Sequence, residues 1–203
     1  MPLFLFARTS DGQTTSHVSD ELPPDVLQLL VKEAGRSGFP ETEEMQGHLC
    51  SYGANLTAEH YKTYAFPETN VQAKPSGVKC LHRDERVVRD FGFGNLADEV
   101  YVIEKNGAIL SACVSVRRNA ECAEAWVVTQ PEHRGMGLGR MVVGAWASAL
   151  MNASLIPLYS RGIGNLASAR LADALELVPV FDEVVITRRR DQSSDAGSRT
   201  GAP

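Results

Sequence analysis

The sequence predicts an α/β fold: a mixed, mostly antiparallel sheet with one parallel strand pair and flanking helices. Three observations predict it. Residues 99–129 read as a meander of three apolar, β-rich runs broken by Asn106-Gly107 and Asn119-Ala120, and Asn-Gly suits the primed two-residue hairpin turn. The third run ends in Gln130-Pro131-Glu132-His133-Arg134-Gly135-Met136-Gly137-Leu138-Gly139-Arg140, after which Leu138, Met141, Val142, Ala145, Trp146, Ala149 and Leu150 recur at helical spacing with one buried face. A further apolar run at residues 155–160 follows that helix. A strand reached through a crossover helix lies parallel to the strand before it.

The remaining elements follow in chain order. After its first six residues, the segment 1–20 is rich in Ser, Thr, Asp and Gly and reads as a flexible, poorly ordered lead. Pro23 and Pro24 suit a first helical turn; Val26, Leu29, Leu30 and Ala34 share a face, and Gly35 ends the helix. A second helix is expected over 41–50, where Glu41, Glu43 and Glu44 favour the N-terminal turn, and a third over 56–64. Residues 65–77 are irregular, 78–81 a short strand, 84–91 a helix and 92–98 a loop. Asn165 is a good cap for a helix over 165–175. Residues 178–181 and 184–187 read as a strand pair. The expected organisation is a lead (1–20), a helical N-terminal region packed on the core (21–77), a core (78–187) and a disordered tail (188–203).

Composition excludes several classes. The 203 residues suffice for one sizeable core, and 43% hydrophobic with 22% charged residues is ordinary for a globular chain. A net charge of −5 argues against nucleic acid as the partner. No apolar run spans a bilayer, and the N-terminal Pro2-Leu3-Phe4-Leu5-Phe6 is too short for a signal-peptide core, so no membrane partner is expected. Cys50, Cys80, Cys113 and Cys122 show no ligand spacing, nor do His17, His48, His60 and His82. This points to a reducing cytoplasm and no metal.

The strand–glycine turn–helix junction is where chemistry is expected. Successive glycines let backbone N–H groups point into one cavity, and the helix N-terminus adds about half a positive charge. Together they make an anion site, most often for phosphate. A Walker loop needs Gly-Lys-Ser/Thr, but Gly139 is followed by Arg140 and Met141. A G-x-G-x-x-G fingerprint fails in both registers, at Arg140 and at Val142. What stands is Arg134-x-x-Gly137-x-Gly139 directly after a strand. The alternative is a glycine-rich turn that binds nothing.

That motif, in that context, resembles the pyrophosphate-binding motif of the GNAT superfamily of N-acetyltransferases, which bind acetyl-coenzyme A. The element order over residues 78–187 looks like the GNAT fold. Further blocks, Ser111-Ala112-Cys113-Val114-Ser115-Val116-Arg117, Ala123-Glu124-Ala125, Ile156-Pro157-Leu158-Tyr159-Ser160 and Asn165-Leu166-Ala167-Ser168, resemble a group of bacterial GNAT-like acetyltransferases of undefined substrate. The resemblance implies acetyl-CoA as co-substrate. The N–H groups of Gly135, Met136, Gly137, Leu138, Gly139 and Arg140 would hold the pyrophosphate, with Arg134 flanking the cavity. Val127, Val128 and Thr129 would pair with the pantetheine arm like an added strand, and the N–H of Val128 would polarise the thioester carbonyl. Asn165 would touch the pantetheine arm and Ser168 a phosphate. Pro157 fits where the two parallel strands part.

The chain departs from the pattern. The tyrosine that serves many GNATs as general acid, seven residues past Asn165, is Ala172 here, and the Gly-Phe after that helix is Glu176-Leu177. Transfer survives the loss on magnitudes: an alkylamine with pKa about 10.4 costs roughly 4 kcal/mol to deprotonate at neutral pH, whereas a thiol leaves with a pKa near 8.5. The catalytic candidates are Glu124 as base, on the face of Trp126 and Val128, and Tyr159 and Ser160 as replacement acids. Glu124 reads equally as a surface glutamate, and Tyr159 as a strand aromatic. Ser111, Cys113, Ser115 and Arg117 alternate on one small, polar strand face. That face either lines an acceptor groove, with Arg117 holding an acidic group, or is solvated. His133 is expected to add charge near the phosphates.

The expected function is acetyl-CoA-dependent N-acetyl transfer to a primary amine, of a small molecule, in a ternary complex. The rivals are a non-catalytic CoA-binding module and transfer of a longer acyl group. The region 22–64 either covers the acceptor site or makes a homodimer interface.

Overall fold

The computed structural model describes residues 3–19, 21–34, 42–51, 56–67, 76–93 and 98–188. The expected helix end at Gly35 and the tail beyond Arg188 lie outside the described residues. Two compact units are formed, one by residues 1–61 with 182–203 and one by 62–181. Of the described residues, 182–188 group with the first unit and 62–67 and 76–77 with the second.

In the first unit, β1 (Phe4–Thr9) and β2 (Thr14–Val18) form a hairpin, with Phe4 opposite Val18 and Arg8 opposite Thr14. The lead is therefore not a poorly ordered segment. Phe4 and Phe6, two apart, point into the core, and Gly12 takes φ +89° in the turn between the strands. Helices α1 (Pro24–Ala34) and α2 (Thr42–Ser51) form as the sequence predicts. The third expected helix is instead strand β3 (Leu56–Ala65); its Thr, Tyr and His content suits a strand once other strands are present to pair with. Strands in this unit run in the order β2, β1, β9, β3, where β9 is Val178–Arg188. The last expected strand pair is thus one continuous strand. Leu3, Phe4, Phe6, Val26, Leu30, Met45, Leu56, Val184 and Ile186 make this unit's core.

In the second unit the order is β3, β8, β7, β6, β5, β4. The elements are β4 (Lys79–His82), α3 (Arg86–Phe91), β5 (Glu99–Lys105), β6 (Ala108–Arg118), β7 (Cys122–Thr129), α4 (Leu138–Asn152), β8 (Ile156–Gly162) and α5 (Leu166–Ala174). Asn106 and Gly107 both take positive φ, 54° and 78°, as the primed turn demands. β4 to β7 are antiparallel, and β7 and β8 are the parallel pair. The sheet has a cluster on each face. Ala123, Ala125, Cys113 and Tyr159 pack with Val142, Val143 and Trp146 of α4. Val100, Val102, Ala112 and Val114 pack with Val88 and Phe93 on the α3 face. No helix described is long and apolar enough to cross a membrane.

Helix α5 ends in a Schellman cap: the Leu177 N–H donates to the Ala172 C=O at 3.0 Å and the Glu176 N–H to the Asp173 C=O at 3.0 Å. Glu176 stands at the left-handed position of this motif with φ +53°. The sequence departure from the usual glycine therefore preserves the turn and adds strain to it.

Candidate functional site

The site starts at the β7–α4 junction. A short 3-10 turn, Pro131–His133, leads into the glycines. Gly135 and Gly137 take φ +77° and +78°, and a Cβ on either would meet nothing within 4 Å. Gly137 is the N-cap of α4 and offers no side chain to its first amides. The first intrahelical bond runs from the Met141 N–H to the Gly137 C=O, so the N–H groups of Leu138, Gly139 and Arg140 precede the ladder. No acidic residue lies in this first turn. The positive helix end therefore meets no side-chain anion from its own first turn. At Gly139 a methyl group would sit 3.5 Å from Thr129 Oγ1 and 3.8 Å from Val127 Cγ2, ordinary van der Waals contact, so α4 lies against β7 here without requiring a glycine.

The second part is the gap between β7 and β8. Their parallel register runs Cys122↔Ile156, Ala123↔Pro157, Glu124↔Leu158 and stops there. β7 continues to Thr129 and β8 to Gly162, so the strands part after Glu124. Pro157 does not sit in the parted stretch but opposite Ala123 in the paired one. Ile156 donates its N–H to the Glu121 C=O, so the next residue turns its backbone away from β7 and the missing proline donor costs no β7–β8 bond.

The β6–β7 register decides which backbone groups face the gap. Gln130 donates to the Leu110 C=O at 2.9 Å, and the register is constant from Ser111↔Thr129 to Ser115↔Ala125. Antiparallel pairs alternate between bonded and non-bonded. Ala112–Val128 and Val114–Trp126 are therefore bonded pairs, and Ala125, Val127 and Thr129 turn their N–H and C=O groups to the β8 side. This corrects the expectation for Val128, whose N–H is taken up by β6; the donors at the gap are Val127 and Thr129. Arg134 Nε donates to the Thr129 C=O at 3.3 Å, fixing the end of this edge. Thr129 Oγ1 also lies 2.8 Å from Ser111 Oγ.

The side-chain candidates are placed otherwise than the sequence suggests. A bulge between Ser115 and Arg117 inserts Val116 into β6 and moves Arg117 to the other face. There Arg117 meets Glu124 in a two-bond ion pair, Nε to Oε2 at 2.7 Å and Nη2 to Oε1 at 2.8 Å. The expected base and the expected acid-binding arginine are thus each other's partners. Ser111, Cys113 and Ser115 stay behind, buried under α4, with Ser115 Oγ accepting from Trp146 Nε1 at 3.0 Å. They form neither a groove nor a solvated face. Ser160 Oγ lies 2.7 Å from Thr63 Oγ1. Tyr159 is 2% exposed; burial raises its phenol above the ordinary 10.0, opposed by a hydrogen bond with Ser168. Ser168 thus engages a phenol, and the Asn165 side chain accepts from the Ser168 N–H at 3.0 Å as the α5 cap. His133 buries its Nδ1 with no hydrogen-bond partner among the described residues.

One exposed residue at the site escaped sequence reasoning. Trp126 projects from β7 onto the α3 face beside the gap, stacked on Phe93. It stands in an apolar run, and its exposure follows from where β7 sits in the sheet rather than from its residue type. A separate surface cavity of about 570 Å³ is lined by Arg86, Val87, Asp90 and Phe91 of α3, residues 107–109 of the β5–β6 turn and Gln130. None of the residues predicted for the site lines it. Among the described residues no cluster of three His, Cys, Asp or Glu could hold a metal.

Residues 99–180 match the GNAT acetyltransferase family model. A GCN5-related N-acetyltransferase-like protein from Streptococcus suis 89/1591 is similar with TM-score 0.55 and 17% identity, over 93% of this chain and 85% of that one. A GNAT-family acetyltransferase from Colwellia psychrerythraea gives TM-score 0.54 and 13% identity, over 92% and 81%. A GNAT-family protein from Novosphingobium aromaticivorans gives 0.53 and 15%, over 67% and 69%. At these identities the likeness shows the fold. No curated protein matches the chain. The family match covers residues 99–180, and the fold is one shared with solved GNAT-family structures.

Proposed function

We propose that this protein moves an acetyl group from acetyl-CoA to the primary amine of a small molecule, by direct transfer in a ternary complex. The observation that carries this is the parted β7 edge, which runs into a helix N-terminus with no acidic residue in its first turn. The residues fit acetyl-CoA as co-substrate. The Gly135–Arg140 amides suit a pyrophosphate, and the open space over Gly135 and Gly137 admits it. Val127 and Thr129 suit an extended amide-bearing arm added as a strand. The Val127 N–H is the donor proposed to stabilise charge developing on the thioester oxygen.

Proton transfer falls to solvent in this reading. Glu124 is held by Arg117, Tyr159 is buried, and Ser160 is bonded to Thr63. The amine loses its proton to water before attack, and the thiolate takes one from water. Those same placements, with Ala172 buried where the family acid would stand, favour a second reading: a module that binds CoA without catalysis. Calorimetric titration with acetyl-CoA and free CoA tests the site, and thiol release with a panel of amines tests the reaction. No binding of either CoA form sinks both readings; binding without turnover of any amine leaves the second.

A further inference from the structure

Trp126 is 44% exposed, while the chain's other tryptophan, Trp146, is 1% exposed. It stands two residues past the last β7–β8 pair, between Ala125 and Val127, whose backbone faces the gap. Its indole lies 5.0 Å from the ring of Phe93, tilted by 41°. Phe93 in turn meets Phe91 edge-on at 5.2 Å and 87°. Phe93 is 2% exposed, so the inner ring is fixed by the α3 cluster and the outer ring is held in place by it. The three rings form a row with one open end. The charged groups beside it, Arg117 and Glu124, are engaged with each other. The surface next to the reacting edge therefore offers an aromatic face rather than an isolated charge.

We propose that Trp126 is the docking face for the acceptor, and that the acceptor is an amine carried on a short arm from an aromatic ring. This rests on the acetyl transfer proposed above. A ring laid on Trp126 continues the row, in the offset or edge geometries aromatic pairs favour. Its arm brings the nitrogen to the β7 edge at Val127. The ammonium gives its proton to water before attack, as in the reading above. The nitrogen then attacks the thioester carbonyl, the C–N bond forms and the C–S bond breaks. The surplus proton on nitrogen goes to water, and the thiolate takes a proton from water.

The test uses the full chain with phenethylamine, propylamine and spermidine. The docking face predicts saturable quenching of tryptophan fluorescence by phenethylamine alone, and a KM for phenethylamine about tenfold or more below that for propylamine. Trp126→Ala collapses that ratio toward one, and Trp126→Phe, which keeps a ring on Phe93, retains most of it. Similar KM values for the three amines, or an unchanged ratio in Trp126→Ala, overturn the proposal. Acetyl-CoA titration on the same samples keeps the two readings apart: its absence in the wild type overturns the acetyl-transfer reading itself.

Discussion

Placing a carboxylate at Gly137 separates an anion site from a structural turn. Gly137 takes φ +78°, and a Cβ there meets no atom within 4 Å. Gly137→Glu therefore costs backbone strain without a clash. A left-handed residue with a Cβ costs about 1–2 kcal/mol, and a carboxylate at a helix N-terminus returns about 0.3–1 kcal/mol. The net is about 1 kcal/mol, or about 3 °C in Tm for a chain of this size. The effect on ligand is larger. A carboxylate about 5 Å from one phosphate charge is opposed by about 3 kcal/mol at an effective dielectric constant of 20. Screening removes roughly half at physiological salt, but the pyrophosphate carries two charges, which restores about 3 kcal/mol. That is about a hundredfold in Kd. Gly137→Asn carries similar strain, tolerates the left-handed region and has no charge, so its affinity falls by less than about fivefold. Calorimetry with free CoA reads the affinities and thermal unfolding reads the strain. Wild-type affinity in Gly137→Glu refutes a phosphate at this turn. Equal losses in the two variants refute the electrostatic part, leaving geometry alone.

Three further outcomes follow from the same structure. With solvent as proton acceptor, Glu124→Gln lowers kcat by less than about threefold and leaves the rise of rate with pH intact; a loss of about a hundredfold or more, steepest at low pH, restores Glu124 as the base. Glu176→Gly relieves the positive φ in the α5 cap and stabilises the protein by up to about 1 kcal/mol in urea unfolding; destabilisation would mean the glutamate side chain contributes more than its backbone costs. Stability also falls in alkali. Burial raises the Cys113 thiol well above its ordinary 9.0 and the Tyr159 phenol above 10.0, so both stay protonated in the fold while the unfolded chain releases its protons. Stability is constant below those ordinary values and falls as pH rises through them, at about 1.4 kcal/mol per pH unit for each group. Cys113→Ala removes the earlier of the two steps, and identical pH curves for this variant and the wild type would show that the thiol is not held neutral.

The parts legible in the sequence are those whose signal is local. Asn106-Gly107 names its own turn, and both residues take the φ that turn needs. The α4 periodicity follows a glycine junction, and Asn165 caps α5 as a side chain three residues before its donor can. The parts misread depend on distant partners. Leu56 and Tyr64, eight apart, satisfy a helical face as well as a strand, and β3 is a strand because other strands lie beside it in the sheet order. Phe4 and Phe6 alternate over too few residues to outweigh the polar turn that follows. In β9, Pro179 and Asp182-Glu183 look like punctuation, yet the strand runs through them.

The site shows the same division more sharply. Val116 carries no mark of a bulge, yet that one extra residue takes Arg117 from the face of Ser115 to that of Glu124. Two side chains that each look chemically available are thereby spent on one another. The same register sets the backbone: Val127 and Thr129 face the gap and Val128 does not, because Gln130 pairs with Leu110 and the alternation runs back from there. A shift of one residue would exchange those roles with no change in sequence at 127–129. The motif at 134–139 thus names the proposed anion site in side-chain letters, while the donors along the edge are main-chain groups fixed by pairing. Substituting Val127 or Thr129 by any residue other than proline leaves both N–H groups where they are. Alanine scanning of this edge is therefore blind to the donors proposed to act there, and proline at either position, or a variant that moves the β6–β7 register, is what removes them.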